Sequence, residues 1–380
     1  MSAIGDTART RANGTEVCVA LSVAVIGAGW YGCHIALSLR GLGLDVTVFD
    51  QNERAMHEAS GNNQFRLHLG FHYPRHHGTR AQSRDGFMRF VERYPQLSRE
   101  VTENIYAVPR EDSLIDFATY RLIMTSSGID YREVRESSVL LRGVDGLLLA
   151  GERVLLIERA RRYFTERLGD SLQLGQRIDA VEERADGIYV DGTRYDVLID
   201  ATWGHRTGLP MRFFYEPTIL LYYETDGPFP AVTLVDGPLC SIYPTEDPGL
   251  YTLSSVPHTP LGRLDSPEEA RRVRDSVSAA TVAEKAQAME DQISRYLPEF
   301  RERFRLVGPQ LAIKTKPVGR FDDRSCYVFR RGRTFSVMSG KIDTVFFATE
   351  RILAAIEAGQ FDAGMHVDSS LRRNIAQIRA

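Results

Sequence analysis

Three glycines in the run Gly27-Ala28-Gly29-Trp30-Tyr31-Gly32 have the spacing that grips a dinucleotide pyrophosphate. Gly27 lets the chain turn tightly out of an apolar strand. Gly29 lacks a side chain, so a phosphate can approach the backbone N–H groups that open the next helix, and Gly32 lets that helix lie close to the sheet. A second apolar strand then ends in Asp50-Gln51, where a carboxylate can accept hydrogen bonds from an adenosine ribose. Both strands, the helix and the terminal acid are present, so the glycine spacing is not an isolated match.

A second chemical segment follows at Gly61–Arg80, GNNQFRLHLGFHYPRHHGTR. It has no helical periodicity and is rich in Gly, Asn, His and Arg, so an ordered loop carrying functional polar groups is expected. Its histidines are His68, His72, His76 and His77. Gly70 and Pro74 forbid a continuous helix that would align them, and no carboxylate is interleaved, so no metal site is expected. The cysteines Cys18, Cys33, Cys240 and Cys326 form no CxxC pair, which suits a reducing cytoplasm.

The elements that must position these residues can be read along the 380-residue chain. Residues 1–16 read as a flexible tail, and the apolar run from Val17 to Ala28 as the first buried strand. Helical patterns fall at 81–97, 115–127, 159–168, 266–297 and from about 344 onward. Asp191-Gly192 between two β-rich runs is the strongest hairpin signal. Residues 213–256 read as short antiparallel strands, and Thr334–Met338 as a last strand. By alternation, one of Tyr222 and Tyr223 faces inward; Tyr222 is the candidate for a substrate contact. The net charge of −3, with arginines interspersed among acids, gives no reason to expect nucleic acid or an anionic membrane as partner. No stretch reaches the ~20 apolar residues of a membrane span.

The order of glycine loop, hairpin, returning strand Ile199-Asp200-Ala201-Thr202-Trp203-Gly204, antiparallel sheet and final strand running into Ser339-Gly340-Lys341 resembles the D-amino-acid-oxidase-like flavoproteins. The loop pattern His68-Leu69-Gly70-Phe71-His72-Tyr73 is most similar to the L-2-hydroxyglutarate oxidase branch, as is Pro244-Thr245-Glu246-Asp247-Pro248-Gly249-Leu250. The resemblance implies an α/β fold: a Rossmann-type FAD-binding domain, glutathione-reductase-like, interleaved with an antiparallel-sheet substrate domain (α+β). The expected division gives 17–80, 150–210 and 325–365 to the FAD-binding domain, and 81–149 and 211–324 to the substrate domain.

It also implies a flavin site. Gly27, Ala28, Gly29, Trp30, Tyr31 and Gly32 would hold the pyrophosphate, Asp50 and Gln51 the ribose, and the Ile178 backbone the adenine. Ala201, Thr202 and Gly204 would close a second turn. Asn63, Arg66 and His68 would run beside the isoalloxazine, and Gly340 and Lys341 near its pyrimidine edge. His68 or His72 would handle a proton, and a covalent flavin link through either is chemically reasonable. Tyr73, Arg75, Tyr222, Lys316 and Arg320 are the substrate candidates. Lys316-Pro317 stands where amino-acid oxidases of this superfamily tend to place Arg-Pro, so a simple α-amino acid is not the expected substrate, or its carboxylate is held elsewhere, by Arg320 or Arg75. Two departures from the family are Trp203 inside the Ala-Thr-Gly turn and a C-terminal loop with one glycine.

The expected activity is hydride removal from a CH–OH or CH–NH carbon of a hydroxy acid, amino acid or sugar derivative. Oxygen or a quinone would reoxidise the FAD. An NAD-dependent dehydrogenase shares the glycine loop but does not need the His68 loop. A flavin aromatic hydroxylase would carry a Gly-Asp-Ala-x-His segment, which is absent here. A flavin-binding module without catalysis is the remaining alternative.

Overall fold

The computed structural model describes residues 9–12, 15–18, 20–319, 323–358 and 365–367; Arg320 lies outside them. The chain divides into two compact units. One comprises residues 1–57, 160–211 and 326–380; the other comprises 58–159 and 212–325.

The first unit is built on a seven-stranded sheet in the order Leu172–Gln173, Asp45–Phe49, Ser22–Ile26, Val197–Asp200, Thr334–Met338, Tyr327–Arg331, Met365–Val367. The first five strands run parallel and the last two pairings are antiparallel. The near-continuous apolar runs are what a parallel strand covered on both faces requires; Val23, Ala24, Val25, Val197 and Ile199 are fully buried. The helices Trp30–Gly41 and Val345–Glu357 pack on this unit, with Ile35, Ala36, Ala348 and Ile352 inaccessible to solvent. The Asp191-Gly192 hairpin is present, with both residues at positive φ between Val190 and Thr193.

The second unit is an eight-stranded sheet in the order Arg305–Pro317, Phe213–Glu224, Leu250–Ser255, Cys240–Pro244, Ala231–Leu234, Asn104–Pro109, Val144–Leu149, Arg132–Val134. Every pairing is antiparallel except Ala231–Leu234 with Asn104–Pro109. Its core gathers Ile219, Leu221, Tyr223, Ile242, Leu253, Met289, Leu297 and Phe300.

Several boundaries differ from the sequence expectation. Residues 58–80 and 150–159 pack with the second unit, because Arg66–Leu67 and Ser98–Glu100 pair on either side of Arg153–Leu155. Residues 9–12 and 15–18 pair as antiparallel strands, and the first parallel strand begins at Ser22 rather than Val17. The polar loop ends at His76, whose ring nitrogen accepts from Thr79 N–H and caps the helix His77–Arg93.

Candidate functional site

In the first unit, the chemistry-bearing segments all leave the carboxyl ends of neighbouring parallel strands. Gly27 follows Ile26, Asp50 follows Phe49, Ala201 follows Asp200 and Ser339 follows Met338. Ligands of open parallel sheets bind at these ends. Gly27 has φ +104, and a Cβ there would lie 3.0 Å from the Ala201 carbonyl oxygen. On Gly32 it would lie 1.8 Å from the Gly27 carbonyl oxygen, so helix and loop meet with no room for a side chain. Gly29 caps the helix Trp30–Gly41 without a side-chain hydrogen bond, and no acid stands in its first turn. Its opening N–H groups are therefore suited to an anion. Asp50 accepts from Ala28 N–H at 2.7 Å and from Asn52 N–H at 2.9 Å, which fixes its carboxylate against the glycine loop. This cradle fits the ADP half of a dinucleotide.

Around it, the aromatic pair Trp30-Tyr31 is structural in its side chains. Trp30 is fully buried, edge-on to Phe164. Tyr31 Oη donates to the Lys341 carbonyl (2.7 Å) and lies 2.6 Å from Thr344 Oγ1, tying the helix to the Ser339-Gly340-Lys341 turn. Burial pushes the Tyr31 phenol well up, so it stays protonated. Lys341 is half-buried at that turn. The Ala201 turn is reshaped as its extra tryptophan requires. Trp203 and Gly204 both take positive φ, while Asp200 accepts from Thr202 N–H, Thr202 Oγ1 and Thr207 N–H. The Ile178 carbonyl accepts from the Arg206 guanidinium and its side chain joins a buried apolar cluster. Gln51 is exposed beside Asp50.

In the second unit, Arg66, His68, His72 and Tyr73 do come together. The His68 and His72 rings lie 5.6 Å apart, and Tyr73 stacks at 5.7 Å from His68. Around them is a buried polar network absent from the sequence reading. Glu152, fully buried, accepts from Leu69 N–H (2.9 Å), Asn104 Nδ2 (3.0 Å) and Tyr106 Oη (2.8 Å). Tyr106 Oη also meets His72 Nδ1 at 2.8 Å and Arg66 Nη1 at 3.2 Å. Arg66 Nη1 donates to Thr233 Oγ1 at 2.6 Å, and the guanidinium lies 3.8 Å over the Tyr243 ring. Burial raises the Glu152 carboxyl; the Arg66 charge and the three donors pull it back.

The remaining candidates are engaged within the same unit. Asn63 closes its own loop, donating to the Ala59 and Ser60 carbonyls and accepting from Phe65 N–H. Arg75 is ion-paired with the buried Asp236, and Lys316 with the buried Glu216. Burial lowers the Lys316 ammonium, and the nearby Arg324 adds to this while Glu216 opposes it. Tyr222 shares Gln310 Nε2 with the Asn63 carbonyl, whereas Tyr223 turns into the core and donates to Glu290. Glu152, Tyr106 and Gln310 were missed because each sits in an apolar strand or turn with no motif around it. Among the described residues no cluster of His, Cys, Asp and Glu could hold a metal ion, and no helix is long and apolar enough to cross a membrane.

An Asp50→Ala substitution should weaken FAD binding about tenfold, the size of one charge-assisted hydrogen bond. Equilibrium dialysis of the reconstituted apoprotein measures this; undiminished affinity would remove Asp50 from the ribose site.

Comparison with known proteins agrees with the cradle. The family described as DAO, FAD dependent oxidoreductase, matches residues 22–310. An FAD-dependent monooxygenase of Fusarium mangiferae, FPY4, is 60% identical over 336 residues, covering 88% of this chain and 91% of its own. The FAD-dependent monooxygenase kojA of Aspergillus flavus is 28% identical over 380 aligned positions, covering 90% of this chain and 87% of its own. Among solved structures, glycine oxidase from Geobacillus kaustophilus shares the fold with a TM-score of 0.70 at 14% identity, over 91% of this chain and 99% of that one. L-proline dehydrogenase from P. horikoshii shares it at 0.67 and 11% identity, over 88% and 94%. The chain therefore belongs to the DAO family of FAD-dependent oxidoreductases.

Proposed function

We propose that the protein removes a hydride from a CH–OH or CH–NH carbon of a small polar substrate and that His72 takes the heteroatom's proton. FAD supplies the hydride acceptor. In this reading Gly27, Gly29 and Gly32 hold the pyrophosphate, Asp50 the ribose, and Lys341 the negative charge that develops on reduction. The single observation that carries it is the His72 ring, half-buried in a polar loop and hydrogen-bonded through Nδ1 to a tyrosine that is itself held by a buried carboxylate. That is the arrangement of an oriented general base. The His68–Tyr73 pattern supports a catalytic loop of the kind found in the L-2-hydroxyglutarate oxidase branch.

The substrate is better read as uncharged, such as a sugar derivative, than as an acid. The two cations expected to clamp a carboxylate, Arg75 and Lys316, each already carry one, Asp236 and Glu216. Free thiols at Cys33, Cys240 and Cys326 are in keeping with a cytoplasmic setting.

A second reading, monooxygenation, is favoured by the names of the relatives. Turnover under 18O2 separates the two. Oxidation of a CH–OH or CH–NH group with oxygen as acceptor gives one hydrogen peroxide per product and unlabelled product. One 18O atom in the product, without matching peroxide, would overturn the hydride reading.

A further inference from the structure

The polar network around His72 can be accounted for proton by proton. Glu152 receives three hydrogen bonds, from a backbone N–H, an amide and a phenol. A carboxylate accepts all three, whereas a carboxylic acid would turn one oxygen into a donor. The single phenolic proton of Tyr106 therefore points to Glu152. Tyr106 Oη is left with its lone pairs, and two groups approach them, Arg66 Nη1 and His72 Nδ1. Arg66 Nη1 has two protons, directed to Thr233 Oγ1 at 2.6 Å and to Tyr106 at 3.2 Å; its 3.5 Å separation from His72 Nδ1 is too long to compete. His72 must then donate from Nδ1, which puts its lone pair on Nε2. His68 has the opposite arrangement. Its Nδ1 accepts from Gly70 N–H at 3.0 Å, so its own proton sits on Nε2. Of two neighbouring histidines, one is set as a proton acceptor and the other as a donor.

We propose that Glu152 and Tyr106 are positioning residues that fix His72 in the Nδ1–H form, hold Nε2 ready for the substrate's proton, and balance the imidazolium that results. The proposal rests on the reading of His72 as base. In the step itself, the C–H electron pair leaves with the hydrogen as hydride to the flavin. The O–H or N–H proton goes to His72 Nε2, and the electron pair of that bond forms the C=O or C=N bond. The positive charge gained at His72 faces Glu152 through Tyr106, with Arg66 the nearest opposing cation and His68 and Tyr73 the neighbouring rings.

The test uses the FAD-loaded protein. His72→Gln should slow anaerobic flavin reduction by about 10²–10⁴-fold, the usual contribution of a general base. Glu152→Gln keeps the shape but removes the negative charge, so His72 loses its compensating partner and becomes less basic. The rising limb of the pH–rate profile should move to lower pH, and the plateau should fall. Tyr106→Phe should lower the plateau as well, and it keeps the test open if Glu152→Gln does not fold.

A readout independent of turnover is the 15N spectrum of the histidine-labelled protein, with the His72 signals identified by their loss in His72→Gln. Nδ1 should resonate as protonated and Nε2 as unprotonated, and the preference should weaken in Tyr106→Phe. If His72→Gln reduces flavin at the wild-type rate, the base assignment fails. If His72→Gln is slow but the His72 nitrogens show the reverse tautomer, or both other variants keep the wild-type pH profile and plateau, the base stands and the positioning role is overturned.

Discussion

Gly32→Val is expected to yield a protein that purifies without its yellow cofactor and melts well below the wild type. The cause is steric and local. A Cβ at residue 32 would sit 1.8 Å from the Gly27 carbonyl oxygen, and that oxygen belongs to backbone, which cannot swing aside as a side chain does. Either the helix Trp30–Gly41 lifts from the sheet or the glycine loop is displaced. Both change the same structure, because Gly27 is pressed against Ala201 on the next strand and Ala28 N–H is held by Asp50. Overpacking of this kind costs about 3 kcal/mol. The displaced loop also loses its anion-binding geometry, so added FAD should restore little stability.

Gly41 in the same helix provides the control: a Cβ there meets nothing within 4 Å, so Gly41→Ala should be neutral or slightly stabilising. The measurements are the ratio of flavin to protein absorbance and the melting temperature with and without added FAD. A Gly32→Val protein that keeps both at wild-type values would show that the loop does not hold the cofactor as described.

The contrast between this loop and the His72 network explains what was legible in the sequence. Gly27, Gly29, Gly32 and Asp50 act through backbone geometry and one charge, over a short stretch whose spacing is fixed by the turn from strand to helix. Their pattern is local, so it can be read from the chain. The Asp191-Gly192 hairpin is legible for the same reason, since the turn itself demands positive φ.

Glu152, Tyr106 and Thr233 reach His72 or Arg66 only through pairing of strands far apart in the chain, and nothing near them distinguishes a buried network residue from an ordinary one. The same limit applies to ion pairs. Arg75 and Lys316 read as free cations until the sheet brings Asp236 and Glu216 to them. The long partners Phe213–Glu224 and Arg305–Pro317 were read as short strands and a turn-rich segment. Pro217 and Pro309 interrupt their patterns, although both fit a ladder running from Phe213–Pro317 to Glu224–Arg305.

The second large effect is expected from Glu152→Leu. Leucine matches the volume, but it removes the acceptor for Leu69 N–H, Asn104 Nδ2 and Tyr106 Oη in a site closed to water. It also leaves the buried part of Arg66 without its balancing charge. Breaking a buried charged network from one side costs about 3–5 kcal/mol, or roughly a 10 °C fall in melting temperature for a unit of this size.

Glu152→Gln should behave differently, because the amide still accepts and burial already disfavours the charge. The pH dependence follows from the same shift. The carboxyl is raised in the folded state, so the folded protein binds the extra proton to higher pH than the unfolded chain does. Wild-type stability, measured against Glu152→Gln, should therefore fall as pH rises from the ordinary carboxylate range through the folded value, and be flat on either side. Thermal melts of the three proteins across that range measure it. A Glu152→Leu protein as stable as Glu152→Gln at neutral pH would mean that the three donors find other partners, and that the network does not hold this loop in place.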